Sequence, residues 1–123
     1  MVEYRIDRAR RLIEIEIVGD YFLEDAQALT RGLLADPDFD RAFSQIIDCR
    51  DADLSNLTSD DLKAIAADLL SVPGRRIAIV TADSSNQALV RLYTTHVQLS
   101  ENRSVLRGFD DRGSALAWIE EAR

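Results

Sequence analysis

Apolar and polar residues alternate from Val2 to Ile6, where Glu3 and Arg5 separate Val2, Tyr4 and Ile6 in the pattern of a strand buried on one face. The charged run Asp7-Arg8-Ala9-Arg10-Arg11 reads as a turn. Leu12 to Val18 then reads as a second strand, with Ile13, Ile15 and Ile17 on one side and Glu14 and Glu16 on the other, so the chain opens on a hairpin that Gly19 ends. Asp20 is placed to cap a helix whose apolar stripe is Phe22, Ala26, Leu29 and Leu33. Asp36-Pro37-Asp38 stops that helix, because proline disfavours helical geometry in the residue before it.

Ser44 to Ala52, then Asp53 to Leu57, then Thr58 to Leu62 reads as strand, loop and helix start. Ile46 and Ile47 run into Asp48 and Asp51, so a buried strand is expected to deliver polar residues to the rim of a sheet, where ligands and partners of open α/β sheets are usually held. Thr58 with Asp61 makes a short capping box, and Leu62, Ile65, Ala66 and Leu69 form the stripe of the second helix. Val72-Pro73-Gly74-Arg75 has the residues of a type II turn. Arg76 to Thr81 is a strand whose run Ile77-Ala78-Ile79-Val80 lacks alternation, which places it centrally, buried on both faces. Ser84 or Ser85 caps a third helix with Leu89, Leu92, Tyr93 and His96 on one face, and Val90, Tyr93, Thr94 and Val97 form a second stripe beside it. Ser104 to Gly108 is the final strand, and Asp110 or Asp111 starts a last helix with Ala115, Trp118 and Ile119 facing inward. The order β-β-α-β-α-β-α-β-α calls for right-handed crossovers and an α/β fold, its sheet mostly parallel with an antiparallel first strand.

Length keeps this to one domain, 1–123, with enough apolar residues, 46% of the total, to hold a core without staples. The lone Cys49 cannot form an internal disulfide, and no apolar run approaches the ~20 residues of a membrane span, so a cytoplasmic location is expected. A net charge of −7 with dispersed acids argues against nucleic acid as a main partner.

Ile46-Ile47-Asp48 in a central strand, the polar loop into the helix at Thr58, the strand Arg76 to Thr81 and the close through Phe109-Asp110 to Ala117-Trp118-Ile119 together resemble the SpoIIAA-like family, whose fold is shared with STAS domains. Order and spacing over nearly the whole chain carry the likeness. The resemblance implies successive strand–helix units with helices mainly on one face, a bacterial-type protein and, in general, no enzymatic activity. The best understood relatives antagonise anti-sigma factors and are switched by phosphorylation of a serine where the loop after the central strand enters the next helix. That motif typically reads Asp-Ser-Ser-Gly; here Thr58-Ser59-Asp60-Asp61 follows a longer loop without glycine, leaving Ser59, then Thr58, as the positions that a phosphoswitch would use. Plain helix capping explains the same residues without regulation. Some SpoIIAA-like relatives are grouped with carriers of lipophilic ligands.

Catalytic chemistry finds little to work with. Nucleophilic catalysis needs a base, and the only histidine is His96, on the apolar face of the third helix. Cys49 beside an apolar strand reads as a small buried hydrophobe. One His and one Cys make no structural zinc site, Asp48, Asp51 and Asp53 read as a solvated acidic loop rather than a magnesium cluster, and the five isolated glycines give no phosphate-cradling loop. No cofactor or metal is expected. The expectation is therefore a non-catalytic binding module, probing a protein partner with Asp48, Arg50, Asp51, Asp53 and Asp60. The alternative is a carrier or sensor of a small lipophilic ligand held near Leu92, Tyr93 and His96. The second stripe of the third helix serves a homodimer contact, a pocket wall or deeper burial within one chain.

Overall fold

The computed structural model describes residues 1–122. Five strands form a single sheet in the order β1-β2-β3-β4-β5, identical to their order along the chain: β1 (Val2–Asp7), β2 (Leu12–Asp20), β3 (Ser44–Asp53), β4 (Arg76–Val80) and β5 (Val105–Phe109). β1 pairs antiparallel with β2, and every other neighbouring pair is parallel. Between them run α1 (Leu23–Ala35), α2 (Ser59–Asp68) and α3 (Ser84–Leu99), and α4 (Arg112–Glu121) follows β5. Element order and the antiparallel first strand agree with the pattern of the sequence.

The period of two in β2 decides how the layers divide. Ile13, Ile15 and Ile17 point to one face, where Cys49, Ile77 and Ile79 join them beneath α1, α2 and α3. Leu12, Ile46, Ala78 and Val80 point to the other and are covered by Ala115, Trp118 and Ile119 of α4. β4 is thus buried on both faces, as its unbroken apolar run requires. Trp118 closes the second core: its ring lies 5.5 Å from that of Phe109, with the Arg76 guanidinium 4.9 Å above it and donating to the Trp118 carbonyl at 2.6 Å.

Local signals mostly hold, with instructive displacements. Thr58 Oγ1 accepts from the Asp61 N–H, and Asp61 Oδ2 accepts from the Thr58 N–H, both at 3.0 Å, a reciprocal cap. The Arg75 N–H donates to the Val72 carbonyl at 3.1 Å with Gly74 at φ +75°, as a type II turn demands. The cap of α3 is Asp83 rather than Ser84 or Ser85; its carboxylate accepts from the Asn86 N–H at 2.7 Å. Asp20 does not cap α1 either. Gly19 at φ +77° carries β2 onward, Asp20 pairs with Asp53, and α1 begins after Phe22, whose N–H donates to Asp25 Oδ2 at 2.9 Å. Phe22 is consequently exposed instead of lying in the buried stripe. On α3 the second stripe is the buried one: Val90 and Val97 are in the core while Leu92 is exposed, so the extra apolar surface covers the sheet of this chain.

Candidate functional site

β3 runs as far as Asp53, which puts Asp48 in mid-strand rather than on a rim. Asp48 faces the α4 side of the sheet and is 8% exposed. The ladder shifts beside it: Glu16 pairs with Asp48 but Val18 with Asp51, so Cys49 and Arg50 stand opposite Ile17 alone, a bulge. Asp48 holds that bulge. Oδ1 accepts from the Arg50 N–H at 3.1 Å and from Arg50 Nε at 3.0 Å, while Oδ2 accepts from Nη2 at 2.7 Å. The Arg50 guanidinium, hydrogen-bonded to the side chain, holds the Asp48 carboxyl below the usual carboxylate range against the opposing effect of burial.

Toward the first hairpin the same face is not covered by a helix. A cleft of about 410 Å³ is lined there by charges of both signs, among them Glu14, Glu16, Asp48, Arg5, Arg50 and Arg112. Glu14 accepts from Arg5 and from Arg112 of α4, so the array is ordered by its own ion pairs. Asp51 emerges beside Arg50, exposed.

The carboxyl edge of the sheet is acidic. Asp20 and Asp53 are register partners where β2 and β3 end, and Asp83, Asp110 and Asp111 follow the ends of β4 and β5. All are exposed, and none makes an ion pair among the described residues. Asp53 accepts from Ser55 Oγ at 2.5 Å and its N–H at 2.9 Å, and Asp111 accepts from the Ser114 N–H at 2.7 Å; these bonds hold both carboxyls below the usual range.

The residues expected to form one contact surface are thus spread over three places. Asp48 and Arg50 lie on the open face, Asp51 and Asp53 at its carboxyl edge, and Asp60 on the first turn of α2 beside Ser59. Ser59 Oγ stands 3.5 Å from His96 Nε2, a proximity between α2 and α3 that spacing could not foretell. Thr58 is occupied as a cap, whereas Ser59 is exposed. Of the expected ligand-pocket residues, Tyr93 lines two cavities beneath the helices; Leu92 and His96 are not among their lining residues. Cys49 is buried, and burial, helped by nearby Asp48, pushes its thiol up to about 12, so it stays protonated. No helix is long and apolar enough to cross a membrane among the described residues.

No protein-family profile and no curated protein matches the sequence. Among solved structures, the chain is similar to an uncharacterized protein of the DUF3478 family from Shewanella loihica PV-4, described as having a SpoIIAA-like fold. The two share 20% identity, with 96% of this chain and 93% of that one covered, at a TM-score of 0.58. Strand order, the antiparallel first strand and this likeness agree: the chain has the SpoIIAA-like, STAS-like fold.

Proposed function

We propose that this domain is a non-catalytic, regulatory binding module that engages a protein partner presenting a basic surface, at the carboxyl edge of its sheet. The pairing of Asp20 with Asp53 carries this reading. The two carboxylates stand side by side on neighbouring strands, both exposed, and no ion pair within the described residues neutralises them. An acidic edge free of ion pairs among the described residues is suited to a positively charged partner, and Asp51, Asp83, Asp110 and Asp111 extend it.

Charge reversal at Asp51→Arg with Asp53→Arg tests the reading. Affinity capture from host lysate with the parent protein should recover a specific partner, released as salt rises, and the double variant should lose it while staying folded, its melting temperature falling only by what the bonds from Ser55 to Asp53 contribute. Undiminished capture by the double variant would overturn the surface. The phosphoswitch stays attached to Ser59: a cognate kinase should label the parent and not Ser59→Ala, and label retained by that variant would remove Ser59 from the mechanism.

A further inference from the structure

Gln45 interrupts an apolar row. On the face beneath α1, α2 and α3 its register partners are Ile13 on β2 and Ile77 on β4, both fully buried, and Gln45 itself is 7% exposed. Its amide makes no hydrogen bond among the described residues, and neither do the hydroxyls of Tyr21 and Tyr93. No polar side-chain atom of the described residues is both sealed by its neighbours and unbonded, so these three groups face open volume. Groups so placed are within reach of solvent in that space, and three of them on one wall can exchange it for the polar head of a ligand.

They open onto shared space. A cavity of about 110 Å³ between the sheet, α1 and α2 is lined by Gln45, Tyr21, Tyr93 and Arg75 among apolar neighbours. A second, of about 90 Å³ toward α3, shares Tyr21, Ile47, Ile65 and Tyr93 with the first and has an almost wholly apolar wall. Arg75 is the buried cation of this region. Its guanidinium donates to the carbonyls of Leu70 at 2.6 Å and Arg41 at 3.2 Å and to Ser104 Oγ, all neutral acceptors, and it has no carboxylate partner among the described residues. Asp68, the carboxylate on the cavity wall, is exposed.

We infer that the paired cavities are a binding site for a small carboxylic acid with an apolar body, its head group among Gln45, Tyr21, Tyr93 and Arg75 and its body against Ile47 and Ile65. Four donor groups, one of them a cation with no carboxylate partner among the described residues, suit a monoanionic acceptor better than a neutral or cationic head group. The size of the space restricts the body to a single ring or a short chain, since an apolar cavity of ~150 Å³ takes up benzene. Burial raises both phenols well above their usual range, so they remain hydrogen-bond donors at neutral pH. This site lies across the sheet from the charged cleft and does not depend on the partner-binding reading.

Titration with benzoate, phenylacetate and hexanoate, beside toluene and benzyl alcohol, followed through the methyl resonances of Ile47 and Ile65, tests the inference. At least one acid should saturate with a Kd of ~1 mM or tighter, the range expected for so small a ligand. Tyr21→Phe and Tyr93→Phe should each weaken that acid about tenfold, leave toluene unaffected and melt no lower than the parent, because each removes an unpaired hydroxyl. If the hydroxyls served the fold alone, the variants would lose stability and keep the ligand. Absence of saturable binding by all three acids, or equal affinity in parent and Phe variants, overturns the assignment.

Discussion

Asp48 is satisfied almost entirely by its near neighbour Arg50, and its pH dependence follows from that bond. Because the folded carboxyl sits below its ordinary value, its contribution to stability is complete above the unfolded pKa near 4 and disappears as pH falls through the lowered value. Asp48→Asn should therefore cost about 1 kcal/mol at pH 7 in urea titrations, and the gap from the parent should close as pH falls through the lowered value of the folded carboxyl. The strand that delivers Asp48 was legible from Ile46 and Ile47, but its placement was not. A bulge two residues long depends on side-chain bonding to the backbone, which leaves no periodic mark. Gln45 is unreadable for a related reason: a polar residue at the head of an apolar run means little until the register shows what lies on either side, and Arg75 reads only as one more residue of a turn.

At the scale of elements, helix starts were legible where capping is reciprocal and ambiguous where several acceptors adjoin. Thr58 and Asp61 satisfy each other, so Thr58→Ala should destabilise by about 1 kcal/mol, measured by thermal or denaturant unfolding. At α3 the acceptor is Asp83, one residue ahead of two serines with the same capacity, and composition alone does not choose among them. Gly74 was readable because one backbone geometry fits the turn before β4. Gly74→Ala at φ +75° should cost about 1 kcal/mol, with no compensating contact because an added Cβ meets nothing within 4 Å. The two faces of α3 show the limit of a helical wheel. Two adjacent stripes were visible, but which one the sheet takes depends on how the helix lies over it, and a tie that spacing does not show holds its first turn: the Asn86 amide donates to the Ala52 carbonyl at the end of β3 and accepts from the Leu54 N–H in the loop beyond.

For the whole molecule, successive winding leaves one layer built from three helices and the other from α4 alone. Trp118→Ala should do more damage than the loss of a cap or a turn glycine, about 3–5 kcal/mol by chemical denaturation, because it empties the ring that Phe109 and Arg76 enclose over Ile46 and Val80. The α/β class, the element order and the centrality of β4 were all legible, since each follows from periodicity. The division of helices between faces was legible only in outline, because it depends on where the chain turns after β5.

That division also has a consequence for synthesis. As the protein leaves the ribosome, the first eight elements can assemble with their neighbours as they emerge, yet Leu12, Ile46, Ala78 and Val80 remain bare until α4 arrives. The nascent chain therefore carries a sticky, half-finished sheet until α4 has emerged, and Arg10, which reaches across to Glu120 at 2.9 Å, then joins the first hairpin to that helix.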